Sequence, residues 1–355
     1  MPELATQWQD GAVGASMNLD QSQAWQPDVL GAGYESRKIT LTPDEDPNEV
    51  VTATLVRAPK PRWRAENFGS SSHTDVLYVH GWSDYFFQTH LADFWRSRGA
   101  RFYALDLRRY GRNLQPDTLP GYVGSLDVYD EEIQAALEVM GHGHVGNSTR
   151  KLVLLGHSTG GLVLSLWASR NPGRASSLIL NSPWLELQTR ELGRLVLSPV
   201  IDSLGRYQPK VAFKVSEPGF YMRTLSDQLD GEWPINLDWH PARSFPVYPG
   251  WLSAITSAQQ QVANGLWLRI PTLVLLSSRS IFSASWLEEM RKSDTVLDVT
   301  TVAKRALNLG DCTTVVRIED ALHDVFLSAL PIRERAFDAV AQWLEGYGSD
   351  ENKQK

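Results

Sequence analysis

The chain of 355 residues is poor in the features that mark metal proteins, disulfide scaffolds and nucleic-acid binders. Cys312 is the one cysteine, which excludes an internal disulfide, and we place it in a strand-like run, 312–318, as a small core residue. No Cys pair or H-x-x-x-H spacing occurs, so we expect no metal. The net charge is −7 and Lys and Arg form no runs, so we expect no nucleic-acid partner.

Long hydrophobic runs are missing as well. No stretch of ~20 apolar residues occurs, so we expect no membrane span. The first residues lack the basic patch and apolar core of a secretory signal, so the expected location is the cytoplasm. Composition specifies no oligomeric state.

The most informative stretch is 151–169, KLVLLGHSTGGLVLSLWAS. An apolar run leads into a glycine-rich turn, and an apolar helix follows. This order is the context that a G-x-S-x-G nucleophile elbow needs, with Ser158 exposed on a strained turn. Gly156 and Gly160 remove Cβ atoms that would collide where strand and helix meet. The helix begins behind Ser158, so its positive end lies where an oxyanion would form.

Strands alternate with helices along much of the chain, which predicts an α/β fold with a mostly parallel, doubly wound sheet. Segments 34–41 and 49–57 are predicted as an antiparallel pair at the sheet edge, and 59–72 as an irregular connection. We expect a helix over 86–97 after the strand 74–79. The predicted divisions are an N-terminal extension with edge strands (1–73), two core parts (74–181 and 269–347), an inserted helical cap (182–268) and a disordered tail (348–355).

A serine nucleophile needs a base, and in a doubly wound sheet the base should follow a later strand. His240 and His323 are the histidines after Ser158. His240 falls in the predicted cap, whereas a short loop delivers His323 from the strand 313–318. We therefore favour His323 as the base.

The acid that orients this histidine should follow the strand 272–276, but no carboxylate stands directly after that strand. Asp294 opens a loop before a helix that begins near residue 299, which suits a presented carboxylate. Asp298 is the alternative, and it also fits the N-cap of the same helix. Two backbone donors are expected for the oxyanion: Thr159 N–H, directly after the nucleophile, and Trp82 N–H, in the loop that Gly81 bends inward.

These residues together resemble the serine α/β-hydrolases, and within them the monoacylglycerol lipase and lysophospholipase-like branch, the S33 serine aminopeptidase type. The resemblance covers roughly residues 74–181 and 270–345. The motifs that carry it are His80-Gly81-Trp82, Asp106-Leu107-Arg108-Arg109-Tyr110-Gly111-Arg112-Asn113, Gly156-His157-Ser158-Thr159-Gly160-Gly161, Ser293-Asp294-Thr295-Val296 and His323-Asp324.

The resemblance implies an α/β-hydrolase fold with an inserted cap. It implies Ser158, Asp294 and His323 as the triad, and Trp82 and Thr159 as the oxyanion donors. Three features depart from the family pattern. Residues 279–292 lengthen the path to the acid, Arg109-Tyr110 replaces a usual Gly-His, and the first ~70 residues exceed what a minimal lipase of this type needs.

The predicted cap is rich in aromatic residues, which suits either an apolar roof over a pocket or the cap's own small core. The residues expected to line a substrate pocket are His80, Phe86, His157, Trp184 and Trp251. The expected function is cofactor-free hydrolysis of small carboxylic esters with an apolar or aromatic part, through an acyl-enzyme on Ser158. The alternatives are a thioesterase, a lactonase or a small-peptide hydrolase with the same triad, and a non-catalytic binding protein on this fold.

Overall fold

The computed structural model describes residues 24–144, 146, 148–187, 205–213 and 218–347. These residues form a nine-stranded sheet of order β1-β2-β3-β5-β4-β6-β7-β8-β9. The strands are β1 Gln26–Pro27, β2 Glu35–Leu41, β3 Val51–Arg57, β4 Thr74–Val79, β5 Arg101–Asp106, β6 Lys151–His157, β7 Ser177–Asn181, β8 Thr272–Ser277 and β9 Thr313–Ile318. Strands β4 to β9 pair in parallel, and β1, β2 and β3 extend the β5 edge in antiparallel fashion.

Helices cover both faces of this sheet. In the described residues they are α1 Trp63–Phe68, α2 Thr89–Ser97, α3 Tyr129–Met140, α4 Thr159–Arg170, α5 Phe220–Leu225, α6 Pro249–Asn264, α7 Val299–Arg305 and α8 Leu330–Tyr347. Successive residues of β6 point to opposite faces, so Leu154 joins one hydrophobic cluster while Val153 and Leu155 join another. Apolar side chains on both faces are expected of a parallel sheet under two helix layers, so the predicted α/β fold is confirmed.

The antiparallel N-terminal strands are fastened to the loop after β5 by buried arginines. Arg109 Nη2 lies 2.8 Å from Asp44 Oδ1 and 2.5 Å from Glu49 Oε2. Arg112 Nη2 lies 2.7 Å from Asp28 Oδ1. The Arg109 that departs from the family pattern is therefore an anchor for the lengthened N-terminal part of the chain.

Three local predictions were wrong. Segment 59–72 contains α1, a helix that ends where a Cβ on Gly69 would lie 2.2 Å from the Arg98 carbonyl oxygen. The helix predicted from Phe86 begins at Thr89, and the Phe86 N–H donates to Asp106 Oδ1 at 2.9 Å in the loop before it. Cys312 precedes β9 and is only half-buried rather than part of the core.

Between β7 and β8 the described residues form α5, α6 and loops joined by isolated β-bridges. The helix predicted over 251–262 is confirmed within α6. Most of the helical segment predicted over 185–203 lies outside the described residues. Within the described part of the chain, no helix is both long and apolar enough to cross a membrane.

Candidate active site

Ser158 stands at the tight turn between β6 and α4. Its backbone has φ 50° and ψ −116°, a left-handed conformation that is strained for a residue with a side chain. The two flanking glycines have no room for a side chain, since a Cβ on Gly160 would lie 2.3 Å from the His80 carbonyl oxygen and one on Gly156 would lie 2.7 Å from Gly161 Cα. The turn is therefore possible only because of these glycines, and it carries the serine at the carboxyl edge of the sheet.

His323 reaches the same edge from the loop after β9. Its Nδ1 lies 2.9 Å from Asp294 Oδ2, and both side chains are buried. Because a carboxylate accepts, Nδ1–H is the donor, which leaves Nε2 as the basic nitrogen of the neutral ring. The His323 ring lies 4.9 Å, centroid to centroid, from His157, the residue before Ser158. The structure thus brings the elbow, the histidine and Asp294 together.

Asp294 is distant from β8 in the sequence but lies near the carboxyl end of that strand. The Asp294 N–H donates to the Arg279 carbonyl oxygen at 3.0 Å, and the Ile281 N–H donates to the Asp294 carbonyl oxygen at 2.9 Å. The lengthened segment, residues 279–292, is therefore a loop whose two ends are joined by backbone hydrogen bonds. Asp294 Oδ1 accepts the Val296 and Leu297 N–H groups, each at 2.7 Å, so Oδ2 is left directed at His323.

Asp298, the alternative acid, is engaged elsewhere. Its Oδ1 accepts the N–H groups of Thr300 at 3.0 Å and Thr301 at 3.2 Å, which makes it the N-cap of α7. The structure places this carboxylate on a helix terminus, and Asp294 is the acid that contacts His323.

The two expected oxyanion donors lie on either side of the elbow. Thr159 is the first residue of α4, and Trp82 follows β4 through Gly81. A Cβ on Gly81 would lie 3.1 Å from Ser158 Cβ, so this glycine lets the loop backbone approach the nucleophile closely. His80 shapes the loop: its Nε2 accepts the Leu107 N–H at 3.1 Å, and its Nδ1–H donates to the Gly81 carbonyl oxygen at 2.8 Å.

The residues expected to line a pocket separate into two groups. Phe86 is fully buried in the core against Tyr34, Tyr78 and Phe102, so its assignment to a pocket was wrong. His80 uses both ring nitrogens in the hydrogen bonds just described, which makes it a support of the loop.

His157, Trp184 and Trp251 lie nearer the elbow. Burial lowers the pKa of His157, and the neighbouring His323 lowers it further, while the charge of Asp324 raises it in part. Its Nδ1–H donates to the Asn181 carbonyl oxygen at 3.1 Å. The Trp184 N–H donates to the Ser158 carbonyl oxygen at 3.1 Å, and Trp251 packs against the Trp184 ring.

Sequence reasoning missed the contacts that three further residues make around this edge. Asn181 Nδ2 donates to Asp324 Oδ1 at 2.6 Å, and the Tyr221 ring stands edge-on to His323 with centroids 5.3 Å apart. Asp324 directly follows His323, and Asn181 ends a strand at the active edge, so position alone could have indicated both. Tyr221 carries no such signal, because it arrives from the irregular region between β7 and β8.

His240, the alternative base, pairs with a different carboxylate. Its Nδ1 lies 3.2 Å from Asp84 Oδ1. Burial acts to raise the pKa of Asp84, but His240, followed by His157 and His80, acts against it, and the pKa of this carboxyl is lowered. A surface cavity of about 260 Å³ beside Trp267 and Asp311 lies at the opposite, amino edge of the sheet.

Comparison with known proteins identifies the family of the chain. A family model described as "Serine aminopeptidase, S33" matches residues 70–280, more than half of the chain. A search of curated proteins found no match. Among solved structures, a monoacylglycerol lipase from Paleococcus ferrophilus is 17% identical with a TM-score of 0.58, over 84% of this chain and 100% of that one.

Two further solved structures show the same fold. A soluble variant of monoglyceride lipase from Saccharomyces cerevisiae is 14% identical with a TM-score of 0.59, over 87% of this chain and 97% of that one. An esterase from Thermogutta terrifontis is 18% identical with a TM-score of 0.55, over 87% and 98%. The resemblance and the fold class predicted from the sequence are confirmed: the chain belongs to the S33 serine aminopeptidase family of α/β-hydrolases.

Proposed function

We propose that this α/β-hydrolase cleaves small carboxylic esters through an acyl-enzyme on Ser158. The observation that carries the proposal is the buried His323–Asp294 pair, with 2.9 Å between Nδ1 and Oδ2, set beside a serine with φ 50°. A buried histidine held by a carboxylate next to a strained serine is the arrangement that serine hydrolases use on unrelated folds. Lipase and esterase structures with the same fold support an ester as the substrate.

In the proposed acylation step, His323 Nε2 takes the Ser158 hydroxyl proton as Oγ attacks the ester carbonyl carbon. Asp294 holds the histidine tautomer and stabilises the imidazolium that forms. The Thr159 and Trp82 N–H groups would donate to the oxygen as it becomes an oxyanion. His323 then gives its proton to the leaving alcohol, and the C–O bond of the ester breaks.

Deacylation repeats these steps with water. His323 takes a proton from water, the resulting hydroxyl attacks the acyl carbon, and Ser158 Oγ leaves with the proton that His323 returns.

We propose that residues 182–268 form a cap over this site. Helices α5 and α6 of that segment already supply Tyr221 to His323 and Trp251 to Trp184. The proposed divisions are otherwise 1–73, 74–181, 269–347 and 348–355.

The test is hydrolysis of p-nitrophenyl acetate and butyrate by the wild type and by Ser158→Ala. We expect turnover by the wild type and a loss of about 10⁶-fold in kcat for the variant, because the nucleophile is gone. A fluorophosphonate should label the wild type once per chain and leave the variant unlabelled. Equal turnover by both proteins would overturn the proposal.

A peptidase is the second candidate, favoured by the family description "Serine aminopeptidase". Amides are harder to cleave than esters because the leaving amine must be protonated before it departs. Turnover of aminoacyl p-nitroanilides at a kcat/KM equal to or above that of the esters would select the peptidase. The same comparison with thioesters and lactones separates the remaining alternatives.

A further inference from the structure

Three tryptophans from distant parts of the chain form a stack beside the nucleophile. The Trp82 ring lies on the Trp251 ring, with centroids 3.7 Å apart and planes at 34°. Trp251 in turn meets Trp184, with centroids 5.8 Å apart. Trp82 follows β4, Trp184 follows β7 and Trp251 lies in α6, so the stack joins the region between β7 and β8 to the core. We refer to these three residues as the tryptophan stack.

The tryptophan stack is attached to the elbow at both ends. The Trp184 N–H donates to the Ser158 carbonyl oxygen at 3.1 Å. Gly81, the residue before Trp82, lies so close that a Cβ there would be 3.1 Å from Ser158 Cβ. The backbones that carry Trp82 and Trp184 therefore both lie against the elbow.

The described residues behind the rings are closely packed. Trp82 meets Tyr110 and Phe245 edge-on, with centroid distances of 5.9 and 5.8 Å. A Cβ on Gly121 would lie 2.7 Å from Trp82 Cζ3, and the Trp251 side chain is only 1% exposed. Protein interiors packed this closely do not admit extra methylenes without moving the side chains that fill them.

The ring contacts of His323 are with His157 and Tyr221, whereas Trp82 of the stack contacts Tyr110 and Phe245. His323 must protonate the leaving oxygen, so the alcohol lies on the His323 side. We propose that the acyl chain points away from His323 toward the tryptophan stack, that the stack closes this side after a few carbons, and that the substrate is an ester of a short acid. This inference rests on the proposed ester hydrolysis.

The first test is the acyl-length profile of the wild type on acetyl, butyryl, octanoyl and dodecanoyl p-nitrophenyl esters. We expect kcat/KM to peak at acetyl or butyryl and to fall by about tenfold or more at octanoyl. A peak at octanoyl or dodecanoyl would overturn the inference and leave the proposed function intact. Turnover of none of the esters, with no labelling of Ser158, would instead remove the proposed function itself.

The second test is Trp251→Leu, which removes the middle ring without touching an oxyanion donor. We expect the octanoyl-to-butyryl ratio of kcat/KM to rise by about tenfold. The matched control is Trp95→Leu, an equally buried tryptophan in α2 that belongs to another hydrophobic cluster, and its ratio should stay at the wild-type value. An equal rise in both variants would mean general loosening and would overturn the inference. Should Trp251→Leu fail to fold, the wild-type profile decides alone.

A different observation carries a second inference, about the alignment of Ser158 and His323. Asn181 binds the elbow through its backbone, since its carbonyl oxygen accepts the Ser158 N–H at 3.0 Å. It binds the histidine loop through its side chain: Nδ2 donates to Asp324 Oδ1 at 2.6 Å, and Oδ1 accepts the Val325 N–H at 3.1 Å. Asn181 and Asp324 are at most 1% exposed.

Asp324 directly follows His323, so this pair fixes the histidine backbone relative to the nucleophile backbone. We infer that Asn181 and Asp324 are positioning residues of the reaction. A shift of about 1 Å between reacting groups can cost about 100-fold in rate, which sets the scale of the effect.

The test is an exchange of the two side chains. Asn181→Asp sets a second carboxylate against Asp324, and we expect kcat per fluorophosphonate-titrated site to fall about 100-fold with little change in KM. The double variant Asn181→Asp/Asp324→Asn reverses the donor and the acceptor between the two side chains. It keeps a side-chain oxygen at residue 181 for the Val325 N–H but exchanges the oxygen that accepts the Phe326 N–H, so it should recover part of kcat. Asn113→Asp, at another buried asparagine, is the control, which should lower the melting temperature but not kcat per titrated site. Unchanged kcat per site in Asn181→Asp, or no recovery in the double variant, would overturn the inference.

Discussion

Two buried histidine–aspartate pairs lie at opposite edges of the sheet, and at the level of the pair they are nearly identical. His323 Nδ1 is 2.9 Å from Asp294 Oδ2, and His142 Nε2 is 2.9 Å from Asp75 Oδ2. Asp75 lies at the start of β4, at the amino edge, whereas Asp294 lies beyond the carboxyl end of β8. Distance and burial do not distinguish the two pairs.

What surrounds the carboxylates differs. Asp75 Oδ1 also receives Arg150 Nε at 2.6 Å, and that guanidinium donates further to the carbonyl oxygens of Ser72 and Thr74. The amino-edge pair thus belongs to an ion-pair network that ties β4 to the start of β6. Asp294 has two backbone N–H groups instead, and its histidine lies beside the serine elbow. A histidine–aspartate pair indicates catalysis only where a nucleophile is presented to it.

Replacing each histidine by glutamine should separate the two pairs most strongly. His323→Gln removes the proposed base, and we expect kcat for p-nitrophenyl butyrate to fall about 10⁶-fold. His142→Gln takes one donor from Asp75, and we expect full activity with a loss of about 1–3 kcal/mol in the free energy of unfolding. Activity is measured per folded chain and stability by urea unfolding. Near-complete inactivation of a folded His142→Gln protein would contradict the contrast.

The two candidate acids sharpen the same comparison. Asp294→Asn would leave the histidine in the wrong tautomer, and we expect a loss of about 10⁴-fold in kcat. Asp298→Ala removes only the N-cap of α7, and we expect unchanged kcat with a loss of about 1 kcal/mol in stability. Steady-state kinetics and urea unfolding of both variants check this. The reverse pattern, an inactive Asp298→Ala beside an active Asp294→Asn, would exchange the two roles.

The sequence was sufficient for features that local pattern determines. The elbow strand, its glycines and the following helix all appear within one short stretch, and the steric reason for Gly156 and Gly160 holds in the structure. Contacts between distant residues were not accessible in this way. Asp294 returns to Arg279 through two backbone hydrogen bonds that close a loop. No local periodicity of the sequence predicts these hydrogen bonds.

The directions of side chains in loops were also not predictable from the sequence. Phe86 and Trp82 both follow β4 closely, yet Phe86 turns into the core while Trp82 turns toward α6. In a loop the alternation of a strand no longer applies, so position in the sequence does not determine which way a residue points. The pairing of Asn181 with Asp324 was missed because the two residues are 143 positions apart, and a position at the active edge does not indicate which side chains bond to each other.

The third histidine–aspartate pair, Asp84 with His240, provides the smallest expected effect. Burial acts to raise the pKa of Asp84, but the interactions with His240, together with smaller ones from His157 and His80, leave it lowered. A carboxyl whose folded-state pKa lies below its unfolded value of 3.8 stabilises the protein fully above that pH and loses this contribution as the pH falls through the folded-state pKa. The stability of the wild type relative to Asp84→Asn should therefore be flat near neutral pH and decline on the acid side. Urea unfolding of both proteins across that range measures the difference, and His240→Gln, which removes the main stabilising partner, should reduce the acid-side decline. If the difference instead grew as the pH fell, the pKa of Asp84 would be raised rather than lowered. His240 would then not stabilise the Asp84 carboxylate.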